Sequence, residues 1–416
     1  MRRDAGLIYA AAFLRSSSVG LVGVVLAIAL TEAGVSVAGA GVVIGAGLAG
    51  IAAMTLVVTV AADRLGRRRA LIVVSLLTGF GYLAAAVSAS LIWLIPAAFV
   101  GMLNGMGRDR GPAGTLEQAI LPETTDAEHR TWTLAWYNLV LDGGHAFGGL
   151  AALAFAGAHQ RIFFVCGAAA LACVAPYWAL STRVEMPQSP VQSPVARILK
   201  VRGAADWDHT TRDSDGDRQT KRAVARLALL FGIDSIGGGF LSSALIAYWF
   251  FERYGFSESQ LAVLFFSARA LNAVSHVAAA WLARRIGLLN TMVLTHLPSS
   301  LLLMLAPAAP SGALAAALFL GRESLVEMDV PTRQSYVMAI VPPNRRTYAS
   351  GVTNLTRTIG WAIGPPIAGI VMQYVVLAAP LFIGGGMKIL YDIVLYRSFR
   401  HVRPPEERDA QQIARL

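Results

Sequence analysis

Long apolar runs recur along most of the chain, and short polar segments rich in arginine separate them. A helix of about 20 apolar residues crosses the ~30 Å hydrocarbon core of a bilayer, and the runs reach that length. They are too long and too continuously apolar for the strands of a membrane barrel. The pattern therefore predicts an all-α membrane protein with twelve transmembrane helices. The predicted spans lie near residues 7–31, 37–61, 70–89, 91–119, 132–157, 161–182, 224–251, 258–282, 289–308, 312–340, 348–374 and 377–397.

Composition agrees with this prediction. The chain has 416 residues, of which 55% are hydrophobic and 14% charged, whereas a soluble domain usually carries about 25% charged residues. The formal net charge of +10 comes from Lys and Arg in the polar segments, which fall on one side of the membrane if the spans alternate. By the positive-inside rule that side is the cytoplasm. We therefore expect a multi-pass protein of the cytoplasmic (inner) membrane with both termini in the cytoplasm, surrounded by lipid and without a nucleic-acid partner.

One segment divides the twelve spans six and six. It is rich in Pro, Ser and charged residues, a composition typical of a flexible cytosolic segment. The division predicts two pseudo-symmetric six-helix bundles joined by a linker. The predicted domains are an N-terminal bundle at 1–182, a cytoplasmic linker at 183–223, a C-terminal bundle at 224–400 and a cytoplasmic tail at 401–416.

The two halves resemble each other in sequence. Residues 129–149 align without gaps to residues 345–365, which sets Asn138 against Asn354, and just upstream Asp109 aligns with Asp329. Because six spans return the chain to its starting side, both copies have the same orientation. Parallel repeats of this kind are a transporter architecture, with the binding site near mid-membrane at the interface of the repeats.

The loop between the second and third spans carries a family motif. Its sequence, "ADRLGRRRAL" at 62–71, is similar to the cytoplasmic loop motif of the major facilitator superfamily. The matching residues are Asp63, Arg64, Gly66, Arg67 and Arg68, whereas Thr59 stands where the family usually has glycine. The resemblance implies a monomeric transporter of small molecules in which two six-helix bundles work by alternating access. We expect Asp63 to pair with arginines across the cytoplasmic face and so to latch one closed state.

Several charged residues fall inside the predicted spans. Such groups are costly in a bilayer unless they face the protein interior or a wet cavity, so each is a functional candidate. The candidates for proton coupling are Asp329, Glu327, Asp142, His145 and Asp234. The candidates for substrate binding are Arg15, Arg110, Glu117, Asn138, Arg322, Arg333, Asn354 and Arg357. Any of them is also open to a structural interpretation as an ion pair; Asp329 and Arg333, for example, have the i,i+4 spacing of a helical pair. Pro331 predicts a kink in the tenth span, and Pro112 predicts one in the repeat-related part of the fourth.

The sequence contains none of the G-x-S-x-G, P-loop, H-E-x-x-H or Cys/His metal motifs. We therefore expect no enzyme, cofactor or metal site, and the lack of a nucleotide motif favours secondary transport. The main hypothesis is proton-coupled export of a small organic compound. The alternative is a carrier or exchanger of an organic anion, with the arginines binding carboxylate or phosphate. A non-transporting membrane sensor is a more remote alternative. The efflux-type glycine motif is only partial, because "GHAFGG" at 144–149 lacks its proline.

Overall fold

The structure, a computed structural model, describes residues 2–121, 130–155, 159–185, 215–340 and 346–401. Most of the predicted cytoplasmic linker and nearly all of the predicted tail lie outside these residues. The described part of the chain is almost entirely α-helical, as the pattern of apolar runs predicts, and helices lie over each of the twelve predicted spans.

Sixteen α-helices form in the described residues. They are α1 (Arg2–Glu32), α2 (Val37–Leu65), α3 (Arg67–Ala85), α4 (Leu91–Gly101), α5 (Pro112–Ile120), α6 (Arg130–Ala151), α7 (His159–Ala172), α8 (Val174–Trp178), α9 (Asp215–Phe240), α10 (Ser243–Tyr254), α11 (Glu258–Ile286), α12 (Leu288–Leu305), α13 (Gly312–Val326), α14 (Asp329–Ile340), α15 (Arg346–Tyr374) and α16 (Ala379–Phe399). Short 3-10 turns follow α6, α8 and α12.

Seven stretches of the described residues are long and apolar enough to cross a membrane. They are Arg3–Glu32, Val37–Ala62, Arg67–Ala85, Gln160–Trp178, Arg222–Tyr254, Leu288–Ala308 and Ala379–Phe399. The chain is thus a multi-pass, all-α membrane protein. The count of twelve spans stays a prediction, because the remaining helices are shorter or carry more charge.

Two predicted spans are interrupted near charged residues. The fourth is built from α4 and α5, and the ten residues between them include Met102 at φ 53° and Gly107 at φ 67°. The left-handed backbone at Met102 ends α4, and Pro112 restarts the helix at its first position, where a missing N–H costs nothing. The tenth span breaks between α13 and α14. Discontinuous helices of this kind leave backbone N–H and C=O groups free beside a binding site.

Near Pro331 the tenth span is interrupted for two residues, which agrees with the predicted kink. Glu327 and Met328 form a turn, and α14 begins at Asp329, so Pro331 falls in the first turn of the new helix. Proline is accepted there because the first N–H groups of a helix have no intrahelical acceptor.

The described chain divides into two compact units. The first comprises Met1–Val191, Gly239–Ala270 and Trp361–Pro380; the second comprises Gln192–Gly238, Leu271–Gly360 and Leu381–Leu416. The predicted division into two six-helix bundles at the linker stays a prediction.

In the first unit α1 packs along α6, α2 along α4 and α3 along α7. The α1–α6 contact is close because α6 has glycine where it meets α1. A Cβ on Gly148 would overlap the carbonyl oxygen of Ser17, and one on Gly144 would overlap Ser16 Oγ. The glycine spacing of the partial efflux motif thus serves close helix packing.

The second unit has an apolar core formed by α9, α12, α14 and α16. Phe231, Met292, Tyr336, Tyr391 and Leu395 are each at most 2% exposed there. This core surrounds a group of charged side chains contributed by the same four helices. Burial among apolar residues forces those charges to pair with one another.

Candidate functional site

A network of buried charges in the first unit centres on Arg15 of α1. Its Nε lies 2.6 Å from Asp109 Oδ2, and its Nη2 lies 2.7 Å from Glu117 Oε2. Nη1 donates a second hydrogen bond to Glu117, at 3.0 Å from Oε1. Glu117 is 0% exposed. The paired contacts are the bidentate arrangement in which a guanidinium holds a carboxylate most strongly.

Two tyrosines complete this network. Tyr137 donates to Glu117 Oε2 at 2.7 Å, and Tyr177 donates to Oε1 at 2.6 Å. Arg15 Nη1 also donates to the Tyr177 hydroxyl oxygen at 2.8 Å, and Nη2 lies 3.5 Å from that of Tyr137. All five N–H groups of Arg15 are therefore directed at protein oxygens. We call Arg15, Asp109, Glu117, Tyr137 and Tyr177 the Arg15 network.

Asp109 lies in the break between α4 and α5. Its backbone N–H donates to His145 Nε2 at 2.9 Å, so Nε2 is unprotonated and a neutral His145 carries its proton on Nδ1. That Nδ1 lies 3.9 Å from Asp142 Oδ1. The structure thus brings the predicted pair Asp142 and His145 together, and it ties His145 to Asp109. Asp109 was not among the site residues predicted from the sequence.

A cavity opens beside Arg15 and Asp109 and encloses about 490 Å³ of space, its open mouth included. Among the described residues that line it, these two are the only charged ones. The lining is otherwise largely apolar and comes from α1, α2, α3, α5, α7 and the segment between α4 and α5. Asp109 is 8% exposed, and its Oδ1 receives no hydrogen bond from the described residues. The cavity therefore has one carboxylate oxygen available to a ligand.

The second unit holds another buried network, centred on Asp234 of α9. Arg333 Nη1 lies 3.0 Å from Asp234 Oδ2 and 2.9 Å from Asp329 Oδ2. Lys388 Nζ lies 2.7 Å from Asp234 Oδ1. Three predicted candidates, Asp234, Asp329 and Arg333, therefore meet at one place. Asp329 Oδ1 is buried without a hydrogen-bond partner among the described residues.

His296 extends this network to α12 and α16. Its Nδ1 lies 3.0 Å from both carboxylate oxygens of Asp392, and its Nε2 lies 3.4 Å from Lys388 Nζ. An ammonium group only donates hydrogen bonds, so Nε2 accepts and Nδ1–H donates to Asp392. This assignment makes His296 neutral.

The charges of this second network do not balance. We call Asp234, Asp329, Asp392, Arg333, Lys388 and His296 the Asp234 network. With His296 neutral it contains three carboxylates and two cations. One additional proton makes it electrically neutral, which is the preferred state of a group of charges buried away from water.

The remaining charges of the tenth span, Arg322, Glu323 and Glu327, precede Asp329 in the sequence. Arg322 pairs with its neighbour Glu323, and Asn272 Nδ2 donates to Glu323 Oε2 at 3.0 Å. Glu327 is buried, 4% exposed, in the turn between α13 and α14. The break thus separates the charges before it from Asp329 and Arg333 after it.

Four other predicted substrate-binding residues are not members of either network. Asn138 and Asn354 are exposed on α6 and α15. Arg110 is also exposed, with its guanidinium carbon 5.9 Å from the centre of the Trp361 ring. Arg357 is buried on α15. The structure therefore leaves the predicted asparagines on helix surfaces and gathers five of the predicted charges into two networks, namely Arg15, Glu117, Asp234, Asp329 and Arg333.

The loop motif lies where α2 turns into α3. Gly66 caps both helices with φ 93°, a conformation that favours glycine. Arg67 is buried, and Arg68 Nη1 donates to the Leu180 carbonyl at 3.4 Å. The side chains of Asp63 and Arg64 lie outside the described residues, so the gating role of the motif stays a prediction.

Comparison with known proteins covers most of the chain. The family model for the Major Facilitator Superfamily matches residues 8–326. An uncharacterised membrane protein of Saccharomyces cerevisiae is 25% identical over 417 residues, covering 94% of this chain and 93% of the relative.

Several solved transporter structures have the same fold. A POT family transporter in complex with a thioalcohol-conjugated peptide has a TM-score of 0.74 at 13% identity, covering 96% of each chain. The nucleoside transporter NupG has a TM-score of 0.71 at 13% identity, covering 95% of this chain and 99% of its own. The human organic anion transporter MFSD10 has a TM-score of 0.61 at 18% identity, covering 95% of this chain and 99% of its own. At these identities the likeness shows the fold alone.

Proposed function

This chain belongs to the Major Facilitator Superfamily, and from that premise we propose how it couples transport to an ion gradient. It is a secondary transporter and not an enzyme. We propose that it exchanges protons for a small organic compound, which it exports across the cytoplasmic membrane by alternating access. Two six-helix bundles with cytoplasmic termini, acting as a monomer, are part of this proposal. The observation that carries it is the buried Asp234 network, which with the neutral tautomer assigned to His296 has one more carboxylate than cations.

Asp329 is the acid that we propose to take up the proton. It pairs with Arg333 through Oδ2 while Oδ1 has no partner among the described residues. Arg333 also contacts Asp234, so it keeps a counter-ion when Asp329 becomes neutral. A proton on Asp329 therefore releases one ion pair without leaving a buried charge alone. Each tenfold difference in proton affinity between the two transport states supplies about 1.4 kcal/mol of coupling.

Flux measurements with the full chain in proteoliposomes test this proposal. A pH gradient is imposed, and cationic, neutral and anionic compounds are offered in turn. In vesicles where the cytoplasmic face of the protein points outward, we expect an acidic lumen to drive accumulation of the substrate in the lumen. Protons leave the lumen as the substrate enters, because the two move in opposite directions. Asp329→Asn is expected to abolish this accumulation and to leave substrate exchange at equal pH intact. Glu252→Gln, a change to an exposed acid of α10, serves as the matched control.

Two results would contradict the proposal. If Asp329→Asn retains full pH-driven accumulation, Asp329 is a structural member of an ion pair. If no compound responds to a pH gradient of either direction while exchange proceeds, transport is not coupled to protons. Accumulation only of anions would favour the organic anion carrier.

A further inference from the structure

We infer that the cavity of the first unit binds an organic cation, a small amine with an apolar body, through Asp109. This inference rests on the proposed transport function and names the substrate class that the function leaves open. It also assigns a binding role to a residue in the interrupted fourth span. Three features carry it: the charge of the cavity wall, the orientation of Asp109, and the largely apolar lining of the cavity.

The charge of the cavity wall favours a cation. Arg15 and Asp109 are the only charged residues that line the cavity in the described part of the chain. The positive charge of Arg15 is held by Glu117 through two hydrogen bonds at 2.7 and 3.0 Å. Asp109 is therefore the second carboxylate on a single guanidinium, and the Arg15 network has a surplus negative charge. A bound cation balances that charge.

The hydrogen bonds that Arg15 donates also favour a cationic ligand. Every N–H of Arg15 is directed at Asp109, Glu117, Tyr137 or Tyr177. To an anionic ligand Arg15 offers a donor only by giving up one of these hydrogen bonds, three of which go to carboxylate oxygens and two to tyrosine hydroxyls. An ammonium ligand breaks nothing, because it donates to Asp109 Oδ1, which receives no hydrogen bond from the described residues.

Asp109 is held in place to accept such a bond. Its Oδ2 is fixed by Arg15 Nε at 2.6 Å and its backbone N–H by His145 Nε2 at 2.9 Å. Asn104 stiffens the same segment, since it donates to the Arg108 carbonyl at 2.7 Å and accepts from the Met106 N–H at 3.0 Å. The carboxylate is thus positioned before a ligand arrives, which reduces the ordering cost of binding.

The cavity suits a small amphipathic molecule. Its space, about 490 Å³ with the open mouth included, is bordered mainly by apolar side chains. Val19, Ile51, Val74 and Met102 supply apolar wall, and Thr78 adds a hydroxyl. A largely apolar pocket with one fixed ionic group is the usual composition of a ligand site. It matches a small aryl or alkyl body that carries one amine.

Three probes of similar shape and different charge test the inference. They are 2-phenylethylamine, which is a cation at neutral pH, the neutral 2-phenylethanol, and the anion 3-phenylpropanoate. Binding is measured by titration calorimetry with the full chain in lipid nanodiscs at neutral pH. We expect the amine to bind about tenfold or more tightly than either other probe, as a charge-assisted hydrogen bond implies.

Two variants test the contribution of the Asp109 carboxylate and that of the cavity space to binding separately. Asp109→Asn keeps the shape and removes the charge, and we expect it to weaken amine binding about tenfold without affecting 2-phenylethanol. Ala170→Leu fills the cavity from α7 and leaves Asp109 intact; we expect it to weaken both probes. Glu252→Gln, an exposed acid of α10, controls for the loss of one negative charge and is expected to bind the amine normally.

Several outcomes overturn the inference. One is that 3-phenylpropanoate binds more tightly than the amine. Another is that Asp109→Asn binds the amine as tightly as the unchanged chain does. A third is that Ala170→Leu binds both the amine and 2-phenylethanol as tightly as the unchanged chain does. If Asp109→Asn does not fold, Ala170→Leu and the ranking of the three probes still decide. Amine binding without pH-driven flux would contradict the proposed function and leave this site standing. Proton-driven flux of a neutral or anionic compound, with no amine binding, would support the proposed function and overturn the amine site.

Discussion

Arg15 is predicted to be essential for the stability of the first unit. Arg15→Gln removes the guanidinium that holds two carboxylates, Asp109 at 2.6 Å and Glu117 at 2.7 Å. Both acids are less than 10% exposed, so water does not replace the lost charge. Removing one partner of a buried ion pair costs about 3–5 kcal/mol, because the remaining charge stays buried.

Related variants are expected to rank by the number of buried carboxylates that each leaves without a cation. Arg15→Lys keeps the charge and has three donors in place of five, so it loses the bidentate contact but not the pairing. Arg15→Gln leaves two buried carboxylates without a cation, whereas the double change Arg15→Gln with Glu117→Gln leaves one. We therefore expect stability to fall in the order unchanged chain, Arg15→Lys, double variant, Arg15→Gln.

Thermal unfolding of the purified protein in detergent, followed by tryptophan fluorescence, measures this order. A loss of about 3–5 kcal/mol corresponds to a fall in apparent Tm on the order of 10 °C. Together with the single variant Glu117→Gln, the variants Arg15→Gln and Arg15→Gln/Glu117→Gln form a double-mutant cycle that gives the coupling energy between Arg15 and Glu117. An apparent Tm for Arg15→Gln equal to that of the unchanged chain, or a double variant less stable than Arg15→Gln, would refute the ion-pair account.

The remaining predictions concern gating, packing, charge and topology. Asp63→Asn is expected to slow transport while binding survives, because the latch shifts a conformational equilibrium; an unchanged rate removes that role. Gly148→Leu is expected to lower apparent Tm strongly, since α6 meets the Ser17 carbonyl there, whereas Gly143→Leu, with open space around it, serves as the control. Lys388→Met is expected to move the pH profile of flux upward, because losing a cation favours protonation of its network; an unmoved profile contradicts the coupling. Protease added outside intact cells is expected to spare the linker, and cleavage at 190–220 overturns the orientation.

The helices could be predicted from the sequence because the signals for them are local. Apolar runs of membrane-spanning length predict helix wherever they occur, and the structure has helix over each of them. Pro331 and Pro112 marked the tenth and fourth spans as irregular, and each proline lies at the start of a new helix. Both were predicted to be kinks: the tenth span is interrupted only at Glu327 and Met328, as a kink implies, whereas the fourth span leaves the helix for the ten residues before Pro112.

The composition of the two networks could not be predicted in the same way. Arg15 meets Asp109 from 94 residues away, and Asp234 meets Lys388 from 154 residues away. Only packing decides which of many intramembrane charges are neighbours. His296 and Asp392 carried no motif, so they were missed. Asp109 had two usable signals, its charge within the predicted fourth span and its alignment with Asp329 in the repeat.

The two networks can be compared within the predicted repeat. Arg15 lies in the first predicted span and binds acids of the interrupted fourth span. Asp234 lies in the seventh predicted span, 219 residues after Arg15, and binds Arg333 of the interrupted tenth span. The signs are exchanged, yet each half has a buried ion pair between corresponding helices. Coulomb attraction is unchanged when both charges are reversed, so the pairing can persist in both halves while the surplus charge of each network is free to serve a different ligand. On our proposals that ligand is an amine beside Asp109 and a proton on Asp329.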